Sequence, residues 1–282
     1  RDALALYRKE LEYNPAPIPW REIGQAYREL GVVDSAHFAY DRAIALDSTY
    51  ASAYVSMAQL LDDDGEFAEA LTYAKKALVL APESVEAQYL VGSLLLKNGD
   101  AGGAIRVLQV VALNWPWHSG THLNLGQALL RAGRQEEGEQ VVAKGQQLRE
   151  LEARIGYLEK TVAKLPQDAY AHASLAGALR MASRYNDAMH AYQVALSLDP
   201  ENLEFHNNVA ALHFLRNDTT AAIRTYHYIV EKAPETVDAW LNLGVLYALS
   251  GDNASARRAW QAALHQQPDH PDAKRYLARL GS

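Results

Sequence analysis

Glycine and alanine recur along this chain at a fixed distance, and that recurrence leaves few folds open. Counted in steps of 34 residues, one column reads Gly24, Ala58, Gly92, Gly126, then Ala176, Ala210 and Gly244; only the step from Gly126 to Ala176 departs from the period. A second column reads Ala36, Ala70, Ala104, Gly138, Ala188, Ala222 and Ala256, and a third Ala43, Ala77, Val111, Gly145, Ala195, Ile229 and Ala263. Small residues held in register by a long period mark places where backbones approach closely, since a larger side chain would overpack the contact by roughly 1–3 kcal/mol. Self-similarity at this period predicts stacked repeats, each packing on its neighbours.

Between the small columns the apolar spacing is helical. From Val237 to His270, Trp240, Leu243, Gly244 and Tyr247 share one stripe, Ser250-Gly251-Asp252 breaks it, and Ala256, Trp260 and Ala263 resume it before Pro268. Two amphipathic helices and a tight turn fit this spacing. With Val237 as position 1, position 4 holds Trp20, Tyr54, Gln88, His122, His172, His206 and Trp240, and position 24 holds Tyr40, Ala74, Leu108, Val142, Tyr192, Tyr226 and Trp260. Proline at position 32 (Pro82, Pro116, Pro200, Pro234, Pro268) ends each second helix, because it cannot continue the hydrogen-bond ladder. The pattern strongly resembles the tetratricopeptide repeat family. Seven copies are counted: 17–50, 51–84, 85–118, 119 to about 152, 169–202, 203–236 and 237–270. The resemblance implies an all-α fold, a right-handed superhelical solenoid of helix-turn-helix hairpins.

Residues 1–16, with Ala3, Tyr7 and Pro15 in the expected columns, read as the second helix of a further repeat. The start at Arg1, inside a helical pattern and without methionine, reads as a processed or cut chain. At the other end, Asp269-His270-Pro271 opens a helix through Ala273, Tyr276, Leu277 and Leu280 that would cap the last repeat.

The irregular step inserts 16 residues, about one helix. No proline interrupts Gln135–Leu165, and Leu148, Leu151, Ile155, Leu158, Val162 and Leu165 form an a/d seam. Either one helix of about 46 Å runs through, or a break near Glu150–Glu152 leaves an unpaired helix. An odd helix disturbs an alternating stack, so two sub-stacks are expected, 1–150 and 151–282. The seam either packs within the chain or against a second copy in a homodimer.

The residues that could carry chemistry fall into the repeat columns instead. His122, His172 and His206 share position 4, where recurrence reads as packing rather than metal binding, and no cysteine exists to supply thiolate chemistry or a Cys-based zinc site. Asp62-Asp63-Asp64-Gly65-Glu66 lacks the alternation of a calcium loop, Gly99, Gly102 and Gly103 form no phosphate loop, and HExxH and GxSxG are absent. No catalytic residue, cofactor or metal is expected. A net charge of −7 argues against nucleic acid, and no apolar run approaches the roughly 20 residues that span a bilayer. The compartment stays open, cytoplasm and bacterial periplasm both fitting.

Family resemblance implies that the first helices line a concave face through positions 2, 5, 6, 9, 12 and 13. Position 6 reads Glu22, Ser56, Leu90, Asn124, Ser174, Asn208 and Asn242; this is similar to the asparagine ladder in the superhelical arm of O-linked N-acetylglucosamine transferases, matched at three of the seven positions. Such amides can hold the backbone of an extended peptide or satisfy their own surroundings. Further along, Phe214, Leu215, Leu241, Val245 and Leu249 make the face apolar, as a binding site would be. Tyr170, Asn207, Asn208 and Asn242 are placed to orient a ligand there. The carboxylate clamp of some repeat proteins is disfavoured, because Arg21 and Gln25 are followed by Ser56, Glu86 and Leu90. Trp115 and Trp117 are expected to pack on the next hairpin. The leading expectation is a non-catalytic scaffold holding a peptide or amphipathic helix of another protein; the alternatives are the recognition arm of a larger enzyme, such as a glycosyltransferase, and a self-assembling module.

Overall fold

A computed structural model describes residues 16–280, and the proposed helix over residues 1–16 therefore lies almost wholly outside the described residues. The described part is helical, and its contacts divide it into two compact units between Arg149 and Glu150. In the first unit, hairpins are formed by α1 (Pro17–Glu29) with α2 (Val33–Leu46), α3 (Ala51–Asp63) with α4 (Phe67–Leu80), and α5 (Val85–Lys97) with α6 (Ala101–Asn114). There follow α7 (Ser119–Arg131) and the start of α8 (Gln135–Lys164). The second unit holds the hairpins α9 (Ala169–Met181) with α10 (Tyr185–Leu198), α11 (Leu203–Leu215) with α12 (Thr219–Lys232), and α13 (Val237–Leu249) with α14 (Asn253–Gln266). It closes with α15 (Pro271–Leu280), whose Tyr276, Leu277 and Leu280 cover Trp260 and its apolar neighbours. This is the helical repeat solenoid anticipated from the period.

The small columns are steric. A Cβ on Gly92 would meet Leu108 at 2.7 Å, and on Gly126 it would meet Val142 at 2.6 Å from the side chain and 2.8 Å from the backbone nitrogen. Gly24 faces the Tyr40 ring and Gly244 the Trp260 indole in the same way, closer still. Where position 8 widens to Ala58, position 24 shrinks to Ala74, and both are fully buried.

Each hairpin turn is a Schellman motif, in which a residue in the left-handed region lets the next N–H reach back to a carbonyl of the last helical turn. Val32 donates to Tyr27, Asp100 to Leu95 and Arg184 to Leu179, each at 2.9 Å. The left-handed residue is glycine at 31, 65, 99, 133 and 251, but Ser183 and Asn217 take φ of 59° and 60° in the second unit. Aspartates next in sequence then cap the second helices: Asp100 accepts from the Gly103 N–H at 2.7 Å and Asp218 from Ala221 at 3.0 Å.

The 16-residue insertion is absorbed by one continuous helix: α8 runs 30 residues, about 45 Å, so of the two readings the unbroken one holds. Ile155 is buried at 4% exposure, Leu148, Leu151, Leu158 and Val162 are half-buried, and Leu165 is exposed.

Three substitutions test these constraints by urea unfolding. Gly126→Ala is expected to destabilise by about 1–3 kcal/mol, because the crowding atom is backbone and cannot move aside; Gly102→Ala, whose Cβ would find nothing closer than 3.7 Å, should stay within about 0.5 kcal/mol. Ser183→Gly should stabilise by about 1 kcal/mol by removing left-handed strain.

Candidate protein-interaction surface

The face available to a partner follows from helix order. Although a second helix separates them in sequence, the first helices touch one another directly: α1 with α3, α3 with α5 and α5 with α7 in the first unit, and α9 with α11 in the second. Their inward positions form a continuous face from α1 to α7 in the first unit and across α9 and α11 in the second.

In the first unit that face is charged and internally paired. Arg28 at position 12 donates through Nε to Asp63, at position 13 of the next hairpin, at 2.7 Å, and through a terminal nitrogen to Gln59 at 3.1 Å. One hairpin on, Lys97 donates to Asp62 at 2.6 Å, and after that Arg131 donates to the Leu96 carbonyl at 2.9 Å. Two hollows lie along these rungs. One of about 330 Å³ is walled by Arg21, Gln25, Ser52, Ser56, Gln59 and Glu86, and one of about 400 Å³ by Arg28, Asp62, Tyr89, Ser93, Lys97 and Asn124. The exposed ion pairs contribute little stability. They leave the face polar and largely self-satisfied.

In the second unit the same repeat positions are apolar and open. Phe214 and Leu215 on α11 are 42% and 41% exposed, and Leu249 on α13 is 65% exposed. Met181 on α9 joins them at 62%; it occupies position 13, 34 residues before Leu215, so the column itself was the signal that could have found it. Val245 is half-buried. Leu241 departs from the expectation: it is 8% exposed, packed with Trp260, Ala256 and Ala263, and belongs to the core between α13 and α14 rather than to an open groove.

The polar residues divide as well. Asn242 donates to the Tyr226 hydroxyl at 3.1 Å and Asn124 to that of Tyr89 at 3.3 Å, so both amides are engaged within the chain. Asn207 is exposed and Asn208 half-buried. Tyr170 is exposed, sets its ring edge-to-face on Phe205 at 5.1 Å and accepts from Asn202 at 3.1 Å. Burial pushes the Tyr226 hydroxyl above its ordinary pKa, against the opposing effect of Asn242.

The histidine column does something more definite than packing. His122, His172 and His206 each place Nε2 on the carbonyl of the proline six residues earlier, Pro116, Pro166 and Pro200, at 2.9, 3.0 and 2.8 Å. A carbonyl only accepts, so Nε2 carries the proton. Trp240 and Gln88 make the same bond to Pro234 and Pro82 at 2.8 Å, and the Tyr54 hydroxyl donates to the Ser48 carbonyl at 3.1 Å. Position 4 is thus a latch on the turn between repeats. Among the described residues no group of three or more His, Cys, Asp or Glu could hold a metal ion. Trp115 stacks on His118 at 4.0 Å, with Tyr89 edge-on to both, and His118 Nδ1 caps α7 by accepting from the Thr121 N–H at 3.2 Å.

Stacked hairpins with an inner face built from their first helices define a helical-repeat scaffold of the protein-interaction class. Models of the tetratricopeptide repeat match residues 55–116 and 213–280. The chain is a tetratricopeptide repeat protein. No curated protein matches it. Among solved structures it is similar to YrrB, described as a repeat protein with an unusual peptide-binding site, at 18% identity over 95% of this chain and 96% of that one, TM-score 0.43. It is also similar to MamA at 22% identity over 63% and 95%, TM-score 0.39, and to a repeat protein from Parabacteroides merdae at 14% over 95% and 100%, TM-score 0.41.

Burial holds the His122 imidazole below its ordinary value of 6.5, outweighing the bond to Pro116. The folded state therefore prefers the neutral ring, while the unfolded chain takes up a proton as pH falls through about 6.5. The stability His122 contributes is complete above that pH and declines below it, toward the depressed folded pKa. His122→Gln, which keeps the donor as Gln88 does, is expected to flatten the dependence of stability on pH between 7 and 5. His122→Leu, which orphans the Pro116 carbonyl, should cost about 1–3 kcal/mol in urea unfolding at pH 7.

Proposed function

We propose that this chain is a non-catalytic scaffold that holds a segment of another protein, an amphipathic helix or an extended peptide, on the inner face of its second unit. The observation that carries the reading is the exposed apolar column formed by Met181, Leu215 and Leu249, one residue per repeat, with Phe214 beside it. Apolar side chains that stay open at the same position in three successive hairpins make an ordered patch, and ordered apolar patches mark interaction sites. At the matching positions of the first unit the chain places Asp63, Lys97 and Arg131, which pair with their neighbours. Tyr170, Asn207 and Asn208 stand nearer the N-terminal ends of the same first helices as groups able to bond a ligand backbone. Asn242 would join them by exchanging the Tyr226 hydroxyl for a partner carbonyl; Asn124, in the first unit, offers the same exchange to a ligand on that unit's own face. Val245 forms part of the wall, and Leu241 supports it from beneath.

The test is selection of binders from a random peptide library, followed by affinity measurement by fluorescence anisotropy. Phe214→Ala combined with Leu249→Ala, checked for unchanged helicity by circular dichroism, is expected to weaken binding at least tenfold, since central apolar anchors dominate such contacts. Equal affinity for the chain and the double variant would place recognition elsewhere.

A further inference from the structure

The two units carry the same arginine in two different situations. Arg28 and Arg180 both occupy position 12, on α1 and α9, and each stands near the tyrosine at position 24 of its hairpin: Tyr40 is under the influence of Arg28, and Tyr192 is hydrogen-bonded by Arg180. From there the surroundings diverge. Arg28 uses Nε to hold Asp63 at 2.7 Å and a terminal nitrogen to hold Gln59 at 3.1 Å, residues at positions 13 and 9 of the next hairpin. The residues at those positions after Arg180 are Leu215 and Ala211. Arg180 Nε is buried and has no hydrogen-bond partner, and among the described residues no carboxylate lies within ion-pair distance of its guanidinium.

A guanidinium cannot shed its proton, so a half-buried one with an unsatisfied Nε–H keeps its full charge. Leaving such a donor unpaired is costly, and a carboxylate is the group whose two oxygens fit the planar fork of donors. The apolar column surrounds it: Met181 is next in sequence, and Phe214 and Leu215 end the neighbouring first helix. Hydrophobic cover excludes water and strengthens the charge pair beneath it.

We infer that the second unit's inner face receives a protein segment in which an internal aspartate or glutamate pairs with Arg180, flanked by apolar side chains that cover Met181, Phe214 and Leu215. This rests on the docking surface proposed above and adds the charge that the ligand brings. The first unit contains the intramolecular counterpart, with Asp63 in the place the partner's acid would take.

A peptide library displayed as fusions through the peptide C-termini offers side-chain carboxylates alone. Selected binders, made synthetically with amidated ends, are expected to share an acidic residue between apolar ones. Replacing that residue by its amide should weaken binding about tenfold or more, and Arg180→Gln should weaken it as much. The two changes together should add little beyond either, and Arg180→Glu should recover affinity for a peptide with lysine in place of the acid, a rescue that a merely structural arginine could not produce. Binders that are lost with the Phe214→Ala, Leu249→Ala double variant yet indifferent to Arg180→Gln would overturn the assignment of Arg180 while leaving the apolar docking surface standing. A library that yields no binder would overturn both.

Discussion

Everything in this molecule depends on how closely the two helices of a hairpin can lie. At the contact between positions 8 and 24 the first member is always small: glycine against Tyr40, Leu108, Val142 or Trp260, and alanine against Ala74, Tyr192 or Tyr226. At Gly126 the neighbour is backbone as well as side chain, so the limit there is set by the chain itself. Because the second helices pack this tightly on the first, first helices come into direct contact from α1 to α7 and between α9 and α11. The face they present is a geometric consequence of small residues buried beneath it.

Closing the stack requires that the chain reverse twice per repeat, and each reversal has its own device. Within a hairpin, a left-handed residue completes the first helix, and in three hairpins the aspartate after it (Asp100, Asp218, Asp252) caps the second. Between hairpins, proline ends the second helix and leaves a carbonyl that the next helix must satisfy. Histidine, tryptophan and glutamine reach it from position 4, and Tyr54 reaches the corresponding Ser48 carbonyl where the first hairpin has serine in place of proline. They have in common a donor held a side chain's length from the backbone, a requirement on hydrogen bonding rather than on shape.

That distinction explains what could be seen in the sequence. The period, the hairpins and their ends were legible because glycine, proline and aspartate act through local backbone physics that a single chain displays. The latch was not, since a column of His, Trp, Gln and Tyr looks like bulk until the proline carbonyl is seen opposite it. Leu241 and Leu249 are equally apolar in sequence, yet one lies against Trp260 and the other faces outward; which side of α13 is covered is settled by α14 and α15. The pairing of Arg28 with Asp63 and the lack of an acidic partner for Arg180 likewise depend on a residue 35 positions away, beyond the reach of any pattern within one repeat. Family register points to Phe214, Leu215 and Leu249, all of them exposed, and the same column holds Met181.

The account centres on the second unit's first helices as the place where a partner sits. Incorporation of a photo-reactive benzoylphenylalanine at position 249, on α13, and separately at Leu113, an exposed residue of the second helix α6, tests this most directly. Irradiated with a selected peptide ligand, the chain carrying the probe at position 249 is predicted to form the covalent adduct and the chain carrying it at position 113 to form none. An adduct at position 113 alone would contradict the account and move recognition to the second helices.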